Sequence, residues 1–247
     1  MHRFLCREFK SGDSLIHLKD PQEIHHLRNV LRLKIGDPVE IFNGQNLLAQ
    51  TVIQRMKKTS IALLVQEEKR ELKSRGYVTL ACAIPKKTKF ETIIEKCTEL
   101  GIDEIIPVLT ERTEFPADKI RRQKKHLRYQ TVAINAAKQC QRSTLPVITP
   151  ITAFKDALNN IQPNDLALIA CLAPPHEPLY KILSQRNLHK HRVIYFIGPE
   201  GDFTPTEVEL AKEKGCQPVS LGKTVLKVDT AALSVMAMIN FLMADEQ

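Results

Sequence analysis

Residues 193–210 read VIYFIGPEGDFTPTEVEL, and this stretch decides the fold class. Val193 to Ile197 is an unbroken apolar run of strand length, as a strand covered on both faces requires. Thr204-Pro205-Thr206-Glu207 is a helix start: Thr204 is placed to cap, Pro205 suits the first turn, and Glu207 stands in the capping-box position. Between strand and helix, Gly198 and Gly201 let a ligand approach the main chain without meeting a Cβ. Ligand sites of α/β sheets form in such loops. A plain strand-to-helix turn explains the same residues, and the pattern alone leaves the two readings open.

The alternation of strand and helix continues to both sides. Apolar strands are expected over 77–84, 104–108, 147–151 and 165–172, and helices over 90–100, 118–139, 178–184, 206–214 and 230–243. This order implies a mostly parallel sheet with helices on both faces. Residues 1–70 differ, reading as short alternating strands around one helix. Asp20 caps that helix and Pro21 opens it; Ile24, Leu27, Val30 and Leu31 recur at helical spacing, with Arg28 and Arg32 on one flank. Gly36-Asp37-Pro38 ends the helix, Val39 to Phe42 alternates as a strand, and Asn43-Gly44 is a hairpin turn signal before strands over 50–55 and 60–65. The charged stretch QEEKRELKSRG, 66–76, then marks a boundary, giving domains 1–70 and 71–247, with a solvated hairpin tip as the other reading.

At 247 residues the chain is long enough for two small domains, and it can bury roughly 70–75% of its unfolded surface without staples. Hydrophobic residues at 43% and charged residues at 26% exclude a wholly disordered chain. The apolar run from Ala231 to Met243 is interrupted by Ser234 and Asn240 and is too short to span a bilayer. MHRFLCREFK has no apolar core of signal-peptide length, so a cytoplasmic protein without a membrane partner is expected. The six cysteines are scattered, with no CxxC pair, so no metal site is expected and free thiols are.

The net charge of +8 is concentrated toward the front of the chain, which suggests a surface for a polyanion. The run KIRRQKKHLR, 119–128, sits on the long helix with Arg121, Arg122 and Lys124 among its cations, a density that suits a phosphate backbone better than ordinary solubility, with a solvated surface helix as the other reading. Leu221-Gly222-Lys223-Thr224 has the tail of a nucleotide P-loop, but Gln217 stands where its first glycine belongs, and no GxGxxG follows a strand. Both the NTPase and the dinucleotide readings fail. The last helix is apolar on most faces, as one buried in its own domain or shared with a second subunit would be.

Taken together, IGPEGDF (197–203), LGKTVLKVDTA (221–231) and TELGIDEIIPVLTERT (98–113) resemble the bacterial uridine-N3 methyltransferases of small-subunit (16S) ribosomal RNA, of the SPOUT superfamily. HHLRNVLRLKIGDPVEIFNG (25–44) is similar to the PUA-like RNA-binding domain of that family. The resemblance covers nearly the whole chain in matching order. It implies an N-terminal PUA-like β-barrel domain, a C-terminal SPOUT α/β domain with a trefoil knot, and a homodimer. It also implies S-adenosylmethionine as methyl donor and 16S rRNA or the small ribosomal subunit as partner.

Three loops would then embrace the donor, each after an apolar strand: 171–174, 197–201 and 221–226. They contribute Leu172, Ile197, Gly198, Glu200, Gly201, Leu221, Gly222, Val225 and Leu226. Lys223 and Lys227 are expected to point away from the sulfonium. Arg142 is the candidate for stabilising charge on the uracil oxygens, because a guanidinium stays charged and holds two acceptors. Asp229 is the candidate base or orienter, and an N-cap for the last helix accounts for it equally well. Arg28, Arg32, Arg121, Arg122 and Lys124 are assigned to the RNA backbone.

The chain departs from the family pattern at several places. Asp202 stands where glycine is usual, Lys138 where a glutamate is expected, and Lys223, Thr224, Lys227 and Asp229 in a stretch that commonly carries arginines and a glutamate. Two further readings therefore stand beside the first: a SPOUT enzyme acting on another RNA or on a ribose 2′-hydroxyl, and an RNA-binding assembly factor without catalysis.

Overall fold

The computed structural model describes residues 1–71, 76–86, 89–115 and 118–244. Contacts divide the chain into two compact units, Met1–Lys73 with Ala137–Leu145, and Ser74–Ala136 with Pro146–Gln247.

The first unit holds β1 (His2–Leu5), β2 (Leu15–Leu18), α1 (Pro21–His25), β3 (Pro38–Phe42), β4 (Leu47–Lys57) and β5 (Ser60–Arg70). These strands form one sheet in the order β1-β3-β4-β5-β2, with β1 parallel to β3 and the other pairs antiparallel. Phe4, Leu27, Ile41, Ile53 and Leu63 are fully buried in its core. β5 continues through Arg70, so residues 66–70 are a hairpin arm rather than a linker. Residues 72–75 of the expected boundary lie outside the described residues.

The expected helix also changes form. Asp20 caps α1 as read, its carboxylate accepting from the backbone N–H groups of Gln22 and Glu23. From His26 to Val30 the coil widens to a π-turn, closed by the Leu31 N–H donating to the His26 carbonyl at 2.9 Å. The wider turn rotates the side chains of this segment: Leu27 stays buried while Val30 is 60% exposed. Arg32 lies beyond the helix in the left-handed region (φ 55°), so Arg28 and Arg32 do not share a helical flank.

Buried charges tie residues 137–145 into this unit. Lys138 Nζ lies 2.7 and 2.8 Å from the two carboxylate oxygens of Glu23 and 5.7 Å from the Phe4 ring centroid. Burial pushes the Glu23 carboxyl up, and the Lys138 ammonium pulls it partly back. Arg3 donates to Glu40 and, at 3.1 Å, to the Arg142 carbonyl, and its guanidinium stacks over Phe42. The Ser143 hydroxyl donates to Glu71 at 2.5 Å.

The second unit is a parallel sheet with helices on both sides. Its strands are β6 (Val78–Ala83), β7 (Glu104–Leu109), β8 (Val147–Ile148), β9 (Thr152–Ala153), β10 (Leu166–Ala170), β11 (Glu177–Pro178), β12 (Val193–Ile197) and β13 (Gln217–Ser220). The order is β11-β13-β10-β12-β6-β7-β8, with β9 also on β7, and every pair is parallel. The helices are α2 (Lys89–Glu99), α3 (Lys119–Gln139, whose last residues belong to the first unit), α4 (Phe154–Ala157), α5 (Leu179–Ser184), α6 (Pro205–Glu213) and α7 (Val228–Leu242).

Successive residues of β12 feed opposite layers. Tyr195 and Ile197 join a core with α2, α5 and α7, while Ile194 and Phe196 join one with α4 and α6. Because both faces are covered, the strand carries no polar alternation. Helix α7 buries Ala232, Val235, Met236 and Ile239 but leaves Met238, Phe241 (80% exposed) and Leu242 outward.

Removing one partner of the Glu23–Lys138 pair strands a buried charge, whereas removing both does not. Lys138→Met is expected to lower the unfolding free energy of the first unit by about 3 kcal/mol, and Glu23→Leu in the same chain to restore most of it. Urea melts of the full chain check this; a single variant as stable as its parent contradicts it.

Candidate active site

β12, β10 and β13 lie side by side, and their register pairs Ala170 with Ile197 on one side and with Val219 on the other. The three strands therefore end at one level, and the loops that leave them enclose a cleft of about 290 Å³. That volume lies near the lower end of small-molecule sites, about 300–1,000 Å³. Of the expected residues, Leu172, Ile197, Gly198, Glu200, Leu221, Gly222, Val225 and Leu226 line it. Gly201 does not; its carbonyl accepts from Arg112. Lys223 was expected to point away, yet it lines the cleft, next to Gly222 with its positive φ of 129°.

The loop after β12 is built around Phe203, whose ring packs 5.0 Å from that of Phe154. A Cβ on Gly198 would come within 3.1 Å of the Phe203 ring, tighter than an ordinary contact, so any larger residue there would need the ring to give by a few tenths of an ångström. Beyond it the capping box forms as read: the Thr204 N–H donates to Glu207 Oε2 at 2.9 Å and the Glu207 N–H to Thr204 Oγ1 at 3.3 Å. Glu207 Oε1 also accepts from the Glu111 N–H at 3.0 Å, tying in the TERT stretch. Glu200 accepts from the Lys86 N–H at 3.1 Å, so it braces the turn while it lines the cleft.

The lining combines apolar Ile197, Leu221 and Leu226 with charged Glu200, Asp202 and Lys223. Two carboxylates against one lysine, with no arginine among the described lining residues, suit a ligand that carries positive charge and disfavour a polyphosphate. Burial raises the Cys171 thiol, and the Asp202 carboxylate pushes it the same way, so this cysteine is a neutral wall of the site.

Asp229 does not cap α7. The N-cap is Lys227, which offers no side-chain cap, and Asp229 sits in the first turn, next to Val228 of the cleft lining. Its Oδ1 is buried with no hydrogen-bond partner among the described residues. Arg142 belongs to the first unit, with Nη2 donating to Thr144 Oγ1 at 3.1 Å and its carbonyl held by Arg3.

Also in that unit, half-buried Arg28 donates to the Lys57 carbonyl at 2.6 Å and borders a second cleft, about 270 Å³, with Lys19, His25 and Lys58; Arg32 is exposed. On α3, Arg121 and Lys124 are exposed, Arg121 3.6 Å from Asp118, while Arg122 is half-buried. Sequence reasoning missed His176 and Ala231 as lining residues: the approach to β11 and the first turns of α7 carry them there, and neither shows a motif.

Comparison with known proteins agrees with this architecture. The model of an RNA methyltransferase domain matches residues 71–240, and that of an RNA methyltransferase PUA domain matches residues 18–66. The chain belongs to this family of RNA methyltransferases. It is 36% identical over 224 residues to a ribosomal RNA small subunit methyltransferase E of Synechocystis, covering 90% of this chain and 71% of that one. To the protein of that name from Rickettsia conorii it is 32% identical, covering 93% and 91%. Among solved structures, the Neisseria gonorrhoeae methyltransferase of the same name, bound to S-adenosyl methionine, superposes with a TM-score of 0.86 at 28% identity over 98% of each chain. A putative methyltransferase of Legionella pneumophila, also holding that cofactor, superposes with 0.85 at 27% identity, covering 97% and 96%.

A buried unpaired oxygen costs about 1–3 kcal/mol, more than the roughly 0.3–1 kcal/mol an acid gains in the first helical turn. Asp229→Ala is therefore expected to leave the thermal midpoint unchanged or raise it. A loss of more than about 1 kcal/mol would show instead that Asp229 stabilises α7.

Proposed function

We propose that the protein transfers a methyl group from S-adenosylmethionine to N3 of a uridine in the 16S RNA of the small ribosomal subunit. The observation that carries this reading is the cleft at the level ends of β12, β10 and β13, whose shape and charge fit the donor. Ile197, Leu221 and Leu226 offer apolar walls for a planar base, and Gly198 and Gly222 leave the main chain accessible. Glu200 and Asp202 favour a cation over the triphosphate of ATP. When bound, S-adenosylmethionine supplies an electrophilic methyl group on a sulfonium. Cofactor-bound relatives at 27–28% identity support the assignment.

Transfer to N3 is a displacement at carbon and depends on alignment. Uracil N3 carries a proton at neutral pH, so the enzyme must take it or stabilise the charge that spreads to O2 and O4. Arg142 is assigned to stabilise that charge, since its guanidinium stays charged and Arg3 clamps its main chain. Asp229, with an oxygen that no group among the described residues satisfies, is assigned to accept or orient the N3 proton. The RNA backbone is assigned to Arg28, Arg32, Arg121, Arg122 and Lys124. Of these, Arg28 is fixed by its bond to the Lys57 carbonyl, beside Lys19 and Lys58. The exposed apolar strip Met238, Phe241 and Leu242 on α7 is assigned to a homodimer interface.

The direct test offers small subunits or 16S RNA that lack the modification, together with S-adenosylmethionine, and analyses the nucleosides. 3-Methyluridine is expected; a 2′-O-methyl product or none contradicts the proposal. Arg142→Ala and Asp229→Asn are each expected to lower turnover by about 10²-fold or more while cofactor affinity changes little; equal loss of both would remove them from the chemistry. RNA affinity should fall with salt by roughly 0.7–0.9 log units per log unit for each phosphate neutralised, and salt-independent binding would overturn the backbone assignment. Phe241→Asp should convert a dimer into monomers in sedimentation; an unchanged mass would place the interface elsewhere.

A further inference from the structure

Asp202 has a left-handed backbone (φ 62°), a conformation costly for most side chains but tolerated by Asp and Asn. Its carboxylate is not idle: Oδ2 accepts from the Leu172 N–H at 2.9 Å, joining the loop after β12 to the loop after β10. Its own N–H donates to the Pro199 carbonyl at 2.9 Å, which closes the turn that presents the side chain. Both Asp202 and Leu172 line the cleft, and Leu172 is more than half exposed. The bond therefore ties together two of the cleft's lining loops, at a wall that side-chain burial does little to fix.

We propose that Asp202 is a positioning residue, a latch that holds the Leu172 wall against the GPEG turn so that the cleft is set before a ligand arrives. The inference rests on reading the cleft as the methyl-donor site. A loop fixed in advance spares the ordering cost that binding otherwise incurs. The backbone strain at Asp202 is the local cost of placing an acceptor there. Glycine at this position would relieve the strain and lose the latch.

Two variants separate the parts. Asp202→Gly keeps the backbone conformation and removes the acceptor; Asp202→Asn keeps an acceptor oxygen, tolerates the same φ and removes the charge. Two quantities are read on the full chain: hydrogen exchange at the Leu172 amide without ligand, and calorimetric affinity for S-adenosylmethionine and for the uncharged thioether S-adenosylhomocysteine. In D202G the amide is expected to exchange about tenfold faster or more, and the uncharged thioether, which reads the latch apart from the carboxylate's charge, to weaken by about fivefold. In D202N exchange stays native and the affinity for the thioether stays within about twofold, while S-adenosylmethionine loses the carboxylate's attraction and weakens.

Native exchange and affinity in D202G would overturn the latch. So would a D202N variant that exchanges at Leu172 and weakens the thioether as D202G does, because an acceptor oxygen at this position would then not be what holds that loop. Should the native chain bind neither ligand, the reading of the cleft fails, and faster or unchanged exchange at Leu172 in D202G still supports or overturns the latch.

Discussion

The second unit depends on one constraint: strands buried on both faces can carry chemistry only where they end. β10 is flanked by β12 and β13 in parallel register, with Ala170 level with Ile197 and Val219. Neither face of this sheet is open, since alternate side chains of its central strands are committed to a core above or below. Polar groups, glycines and carboxylates are therefore collected in three loops at one edge. The cleft follows from that arrangement, and its ligand preference follows from what the loops carry. Two carboxylates, one lysine and an apolar wall make a poor phosphate site and a good one for a base attached to a cation.

Around the cleft, the loops are braced by polar contacts, several of them between residues far apart in sequence. Glu207 closes the capping box of α6 and takes the Glu111 N–H; Glu200 takes the Lys86 N–H; Arg112 holds the Gly201 carbonyl. Each brace satisfies a backbone group that would otherwise be stranded where a loop leaves the core. The first unit uses buried charge in a similar way. Lys138 against Glu23 and Arg3 against Glu40 and the Arg142 carbonyl hold residues 137–145 among strands distant in sequence.

Much of this was legible in the residues. The apolar run Val193–Ile197, the Thr204–Glu207 box and the glycines at 198 and 222 are local signals, and local physics was enough to read them. The PUA-like character of the front and the three cofactor loops came from resemblance. The features that stayed hidden depend on geometry without a sequence period. A π-turn at His26 shifts the helical face, and nothing in the spacing of Ile24, Leu27 and Val30 announces it. Glu67 to Arg70 resemble a solvated linker because their side chains are exposed, yet their backbones pair with β4. Residues 137–145 join the first unit through a Lys138–Glu23 ion pair and hydrogen bonds to Arg3 and Glu71 that no local pattern encodes. Asp229 had the composition of a cap, and only the helix start at Val228 shows that it is free for another role.

The central claim is that the three-loop cleft holds a sulfonium methyl donor, and calorimetric titration of the full chain with S-adenosylmethionine, with ATP as control, tests it most directly. Saturable binding of one donor per chain, with no heat from ATP, is the predicted result. No binding of the donor, or equal binding of ATP, would contradict the account.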